Sequence, residues 1–288
     1  MKIKADGWTE RAIAAQRLAP PFSVAVIMSV YSKDCPQKFR RALSSIFDQE
    51  IIENITVNIY VALDGPVDPE IEKTLYEFED AIFRVLKFNK NRGLVFVLND
   101  IISILEDEKL VFRMDADDYS HPTRFRKQIA EFLQSPDIDI LGTAIWEVNS
   151  ANNRRLVNFA SSHENAISNI HWRVPVAHPT VCVKRDVLVA LGGYPAVSMN
   201  EDVALWFQCV AHGFKFANLK EPLLDFTVTD EFFNRRGSNK AVGEFLVYSK
   251  GIWQLYGVTW KYIVPVIRLI FRFMPTSIQK LGYQSKFR

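Results

Sequence analysis

No glycine-rich loop follows the first apolar run of this 288-residue chain. At that place stand Ser29-Val30-Tyr31-Ser32-Lys33-Asp34. A dinucleotide oxidoreductase would carry G-x-G-x-x-G there, and a sugar nucleotidyltransferase a glycine-rich basic turn for a triphosphate. Both classes lose their phosphate-gripping element. Cysteine is scarce: Cys35, Cys182 and Cys209 lie far apart and make no C-x-x-C. They read as core thiols in a reducing compartment. An excess of charge is also missing. Lys plus Arg number 35 against 33 Asp plus Glu, a formal net charge of +2 that makes no global case for nucleic acid. No uncharged apolar run reaches the roughly 18 residues of a membrane span. The N-terminus shows no apolar signal-peptide core. What the chain does have is 48% hydrophobic and 24% charged residues, ample core for one large α/β domain or two small ones.

The apolar runs alternate with helical patterns. Residues 1–21 are a mixed polar extension, with an irregular helix expected around Thr9–Leu18 and a break at Pro20-Pro21. Phe22–Val30 is apolar nearly throughout, as a parallel strand covered on both faces must be. Asp34 and Pro36 open a helix with Phe39, Leu43, Ile46 and Phe47 at helical spacing. Strand Thr56–Leu63 ends at Asp64-Gly65-Pro66, and Asp68-Pro69-Glu70 opens a helix with Ile71, Leu75, Phe78 and Ile82 on one face. Strand Phe83–Phe88, a turn over Asn89–Gly93 and a helix from Leu94 to Leu105 follow. Then comes Leu110–Asp115. Such alternation predicts a mostly parallel, Rossmann-like sheet flanked by helices.

Ligands of these sheets bind outside the carboxyl ends of the strands. Three strand ends carry polar groups there: Ser29 and Tyr31, Asp64, and the cluster Asp115, Asp117, Asp118. Taken singly, each is an ordinary half-buried aromatic or turn residue. Together, at successive strand ends, they predict one polar rim. Carboxylates on such a rim can share a hard divalent cation with the phosphates of a substrate.

The second half is less regular. A helix is expected over Pro122–Leu133, and strands over Ile138–Val148, Leu156–Phe159 and Val181–Val183. Met199-Asn200-Glu201-Asp202 precedes a helix with Val203, Trp206, Phe207 and Val210 on one face and Gly213 at its end. Asn and acids at a helix start also serve simply as caps. His178 before Pro179 is either a turn residue or a sugar-facing group. Trp146, Trp172 and Trp206 are candidates of the same kind, with Trp206 read as core. After Glu244 there is no acidic residue, while Lys250, Lys261, Arg268, Arg272, Lys280, Lys286 and Arg288 follow. Tyr262–Met274 is apolar apart from Arg268 and Arg272. It fits a helix on an anionic membrane surface, or one packed on the domain.

With these pieces placed, residues 22 to about 240 resemble the family 2 glycosyltransferases of GT-A fold. The likeness lies in SVAVIMSVYSKD, in Asp64, in RMDADDYSHPTRF, in HPT, in GGY and in NEDVALW. It points to the bacterial subgroup that builds O-antigen, capsule and exopolysaccharide. The resemblance implies a nucleotide-binding half, 22–121, an acceptor-binding half, 122–240, and a helical basic tail, 241–288. It implies that Ser29, Tyr31 and Asp64 hold the uridine of a UDP-sugar. Asp115 and Asp117 would meet the diphosphate through Mn²⁺ or Mg²⁺, with Asp118 beside them in a D-A-D-D variant of the motif. Asp202, paired with Glu201, would be the general base of an inverting transfer. Arg235-Arg236 loosely resembles a basic element near the diphosphate. The Gln-x-x-Arg-Trp run of processive synthases is missing, which implies one sugar per acceptor. The implied acceptor is a saccharide or undecaprenyl-diphosphate sugar at the cytoplasmic face of the inner membrane, with the enzyme peripheral. A non-catalytic nucleotide-sugar or carbohydrate-binding protein would use the same rim without Asp202.

Overall fold

The structure is a computed structural model that describes residues 18–197, 200–228 and 238–274. The expected helix near Thr9–Leu18 and the Arg235-Arg236 element lie outside those residues, apart from Leu18. In chain order the strands are β1 (Phe22–Tyr31), β2 (Ile55–Asp64), β3 (Arg84–Lys87), β4 (Leu110–Asp115), β5 (Tyr119–Ser120), β6 (Ile140–Asn149), β7 (Arg154–Val157), β8 (Cys182–Lys184) and β9 (Phe216–Val228). The α-helices are α1 (Pro36–Phe47), α2 (Pro69–Glu77), α3 (Leu94–Ser103), α4 (Arg124–Gln134), α5 (His163–Ser168), α6 (Arg185–Leu191), α7 (Glu201–Ala211), α8 (Ser238–Tyr256) and α9 (Ile263–Arg272).

One sheet runs β3-β2-β1-β4-β8-β6-β9-β5, with β7 beside β6. Strands β1 to β4 are mutually parallel. Strand β8 is antiparallel to both β4 and β6, and β9 is parallel to β6. Two reversals cancel, so β6 and β9 run the same way as β1 to β4. All six therefore deliver their carboxyl ends to one rim.

Side chains alternate across the sheet as a strand requires. Val24, Val26, Met28 and Val30 face one core, packed with Phe39, Leu43, Ile71, Phe125 and Phe132 of α1, α2 and α4. Ala25 and Ile27 face the other, with Val97 and Leu98 of α3 and Trp206 and Phe207 of α7. Local chemistry sets the helix starts: Pro36 and Pro69 sit in first turns, and the Asp68 carboxylate accepts the amide N–H of Glu70. The helix expected to include Phe78 and Ile82 stops at Glu77, and a 3₁₀ turn over Glu79–Ala81 follows. Four elements were not anticipated: the two-residue strand β5, the 13-residue strand β9 and the helices α5 and α6.

Candidate active site

Strand register assembles the rim. Tyr31 lies opposite Asp64, and Ser29 is flanked by Ala62 and Asp115. The four positions Ser29, Tyr31, Asp64 and Asp115 thus share one edge because β1 sits between β2 and β4.

Asp64 is buried and closes a loop. Its two carboxylate oxygens accept the amide N–H groups of Arg92 (2.6 Å) and Gly93 (2.9 Å), and its carbonyl accepts from the Asn91 side chain. Gly65 makes this turn: at φ +86° any Cβ would stand 2.7 Å from the Asn91 nitrogen. Asp64 therefore fixes the entrance of α3, while each oxygen keeps a second lone pair for a ligand N–H.

The acidic strand end is built around a buried cation. Arg113 is 2% exposed within β4, and its guanidinium donates to Asp115 Oδ1 and to the Met114 carbonyl. An arginine inside an otherwise apolar strand needs a carboxylate partner. That is the sequence signal for its role. Asp118 is fully buried; its Oδ1 accepts the amide N–H of Thr227 (2.8 Å), whose hydroxyl donates to the Asp117 carbonyl. Strand β9 therefore braces the acidic turn. Burial first, then the charges of Asp115 and Asp117, push the Asp118 carboxyl well above its usual range. Its Oδ2 is buried with no hydrogen-bond partner.

That orphaned oxygen, beside two further carboxylates, fits a divalent cation. Among the described residues no three His, Cys, Asp or Glu side chains form a ready-made metal cage. A cation that takes one or two carboxylates plus substrate phosphates does not need one.

The second half brings three more groups to the same place. The amide N–H of Arg113 donates to the Val181 carbonyl, which ties the turn at His178–Thr180 to β4. His178 Nε2 shares a hydrogen bond with the Tyr194 hydroxyl (2.9 Å), and its ring packs edge-on against Trp206. Burial, then the Arg113 charge, lower the His178 pKa to about 3, so the ring is neutral at working pH. Tyr194 is held by Asn99, whose amide both donates to and accepts from its backbone. Gly193 is required there, since a Cβ would lie 2.3 Å from Asn99 Oδ1.

Glu201 and Asp202 open α7, after Asn200 in the left-handed region at φ +57°. Asp202 keeps some surface open, but protein surrounds most of it. Desolvation, then Glu201, raise its pKa to about 7, with a further contribution from Asp115. Asp115 and Arg113 thus electrically link the acidic turn, His178, Tyr194 and Asp202. Of the tryptophans, Trp206 is core, Trp146 stacks under Arg154, and Trp172 is exposed. Arg113 and Tyr194 were legible as motif letters without roles. Thr227 gave no signal, because its strand gave none.

The mostly parallel sheet with an acidic rim, joined by the raised-pKa carboxyl at the start of α7, is an α/β fold whose candidate active site lies at the carboxyl ends of its strands. Comparison with known proteins narrows the class. The pattern of the glycosyl transferase family 2 matches residues 25–192, more than half the chain. A Haemophilus influenzae uncharacterized glycosyltransferase is 33% identical over 92% of this chain and 98% of its own. An Escherichia coli UDP-Gal:alpha-D-GlcNAc-diphosphoundecaprenol beta-1,3-galactosyltransferase is 27% identical over 93% and 97%. The crystal structure of S. aureus TarS 1-349 in complex with UDP superposes with a TM-score of 0.59 at 16% identity, over 90% of this chain and 83% of that one. The chain belongs to glycosyl transferase family 2. The family match ends before α7, so a role for Asp202 has to be argued from the geometry above.

Proposed function

We propose that the chain transfers a single sugar from a UDP-sugar to a hydroxyl of a lipid-diphosphate-linked saccharide, with inversion, in the assembly of a bacterial surface polysaccharide. The observation that carries this reading is Asp202: a carboxyl with pKa about 7 at a helix N-terminus, within the electrostatic reach of Asp115. A general base works best with a pKa near the operating pH.

Each residue then has a task. Ser29, Tyr31 and Asp64 border the uridine, Asp64 through the loop it fixes. Asp115 and Asp117, with the unpartnered Asp118 Oδ2 beside them, would hold Mn²⁺ or Mg²⁺, whose charge offsets that gained by the departing UDP. Asp202 accepts the proton of the attacking hydroxyl, so the hydroxyl oxygen bonds to the anomeric carbon as the bond to UDP breaks. Attack from the face opposite the leaving group inverts the centre, and no covalent enzyme intermediate is formed. Burial, then Glu201, keeps the Asp202 pKa high. His178, hydrogen-bonded to Tyr194 and neutral at working pH, adds no charge beside Arg113 and Asp115. The Escherichia coli relative's name supports the lipid-diphosphate acceptor and the UDP donor.

The test is UDP release from a panel of UDP-sugars with Mn²⁺, with and without a GlcNAc-diphosphate-lipid analogue. Wild type is run beside Asp117→Ala and Asp202→Asn. Acceptor- and metal-dependent release from one donor, lost in both variants, is expected. UDP binding without transfer to any acceptor would sink the enzyme reading and leave a binding protein.

A further inference from the structure

Helix α9 is amphipathic in the reverse of the usual sense. Its charged side chains face the protein: Arg268 and Arg272 both pair with Glu244 of α8, which is 6% exposed. Arg268 also donates to the Trp172 carbonyl and lies over the Tyr248 ring. The sequence leaves open a helix on a membrane surface or one packed on the domain; its two arginines pack on the domain, where a buried acid captures both.

What faces outward is apolar. Ile263, Val266, Ile267, Ile270 and Phe273 recur at helical spacing, and all are exposed, Phe273 at 61%. Just before them Trp260 is 71% exposed, and Trp253 on α8 is 59% exposed. A surface helix of a globular domain normally buries such a stripe, and a contiguous exposed one marks an interaction site.

We infer that this face docks on an anionic lipid bilayer. Charge selects that occupant. From residue 245 to the end the sequence has no Asp or Glu, and besides the captured Arg268 and Arg272 it has five Lys or Arg. The last acid, Glu244, is neutralised internally. Cationic and aromatic side chains accompany the stripe: Lys250 of α8 is exposed, and Lys261, just before α9, sits against the Tyr256 and Trp260 rings. Tryptophan and lysine beside an apolar helix face suit the headgroup boundary. No described helix is long and apolar enough to cross. Helix α8 also packs directly on α7, with Gly251 against the Phe207 ring, so the docked face is braced against the helix that carries Asp202. The inference extends the lipid-linked acceptor of the proposed function, but its readout needs no donor or acceptor.

The test is co-sedimentation of the full chain with phosphatidylglycerol–phosphatidylethanolamine vesicles, compared with pure phosphatidylcholine. Wild type is expected to bind the anionic vesicles more strongly, and salt to weaken the difference. Ile267→Glu/Ile270→Glu is expected to bind at least about tenfold more weakly. Arg268→Gln is expected to bind as wild type does, per folded molecule. Wild type that binds no vesicle, or a double variant that binds undiminished, overturns the inference. A wild-type dimer in light scattering that the double variant dissolves also overturns it and assigns the face to a second copy. Transfer to a water-soluble saccharide acceptor stays unchanged in the double variant. A wild type that lacks all transfer yet binds vesicles would fail the catalytic reading alone.

Discussion

Asp202 has to be ionised to accept a proton, and its surroundings resist ionisation. The pH profile of kcat/KM should therefore rise through a pKa near 7 and level off above it. His178 is neutral across that range and supplies no limb, so a limb that arises from Asp202 should vanish in the residual activity of Asp202→Asn. That variant should lose roughly 10²–10⁴-fold in kcat/KM while binding UDP as before, measured by titration calorimetry. The same shift has a stability consequence of definite sign. The folded pKa lies above the unfolded value, so between about pH 4 and pH 7 the native state holds the extra proton. Stability falls as pH rises through that window and stays lower above it. Asp202→Asn should therefore melt higher than wild type at pH 8, by a difference on the order of 1–3 kcal/mol. The two should converge near pH 4. Asp118 makes a second residue-scale case. Its Oδ1 is occupied by the Thr227 amide and its Oδ2 by nothing in the protein. Asp118→Asn should keep the fold, by circular dichroism, and weaken only the cation-dependent part of UDP affinity.

Among the elements, legibility followed how each one is covered. Strand β1, the second half of β2 and most of β4 are buried on both faces, and apart from Arg113 they read as apolar runs. Strand β9 is FANLKEPLLDFTV, with Lys220-Glu221-Pro222 in its middle. Proline cannot donate to a ladder and reads as a break. The structure absorbs it by shifting the register against β6 between Thr143 and Ala144, where Pro222 pairs with Ala144. That shift is a tertiary event, and no local pattern announces it. The rim residues of the first half were legible because they end legible strands. Thr227, next to last in β9, was not. Helix α9 shows the same limit differently: its amphipathicity was plain, but its orientation depended on Glu244, more than twenty residues away. Removing Arg268 leaves that buried carboxylate with Arg272 alone. Losing the only partner of a buried charge costs roughly 3–5 kcal/mol. Arg268→Gln should cost less, about 1–3 kcal/mol in urea denaturation, because Arg272 keeps its two hydrogen bonds to Glu244.

At the scale of the whole molecule, the rim is an electrostatic problem that the fold leaves half solved. Three carboxylates converge at the end of β4, where Arg113 pairs with Asp115. Bringing a diphosphate to that rim adds like charge to like charge. Linkage then makes cation and nucleotide mutually dependent: whatever factor the cation adds to UDP affinity, UDP adds to cation affinity. The measurement is thermal unfolding in a grid of UDP and Mn²⁺. A ligand at a hundred times its Kd stabilises by about 2.7 kcal/mol. The joint shift should exceed the sum of the shifts from UDP alone and Mn²⁺ alone, and EDTA should remove the excess and abolish transfer together. In Asp117→Ala the excess should shrink while the UDP-only shift persists, because Asp64 and its loop stand on the other side of β1. Strictly additive shifts in wild type would mean that the acidic turn and the nucleotide do not share an ion, and that the carboxylates of β4 serve the fold alone.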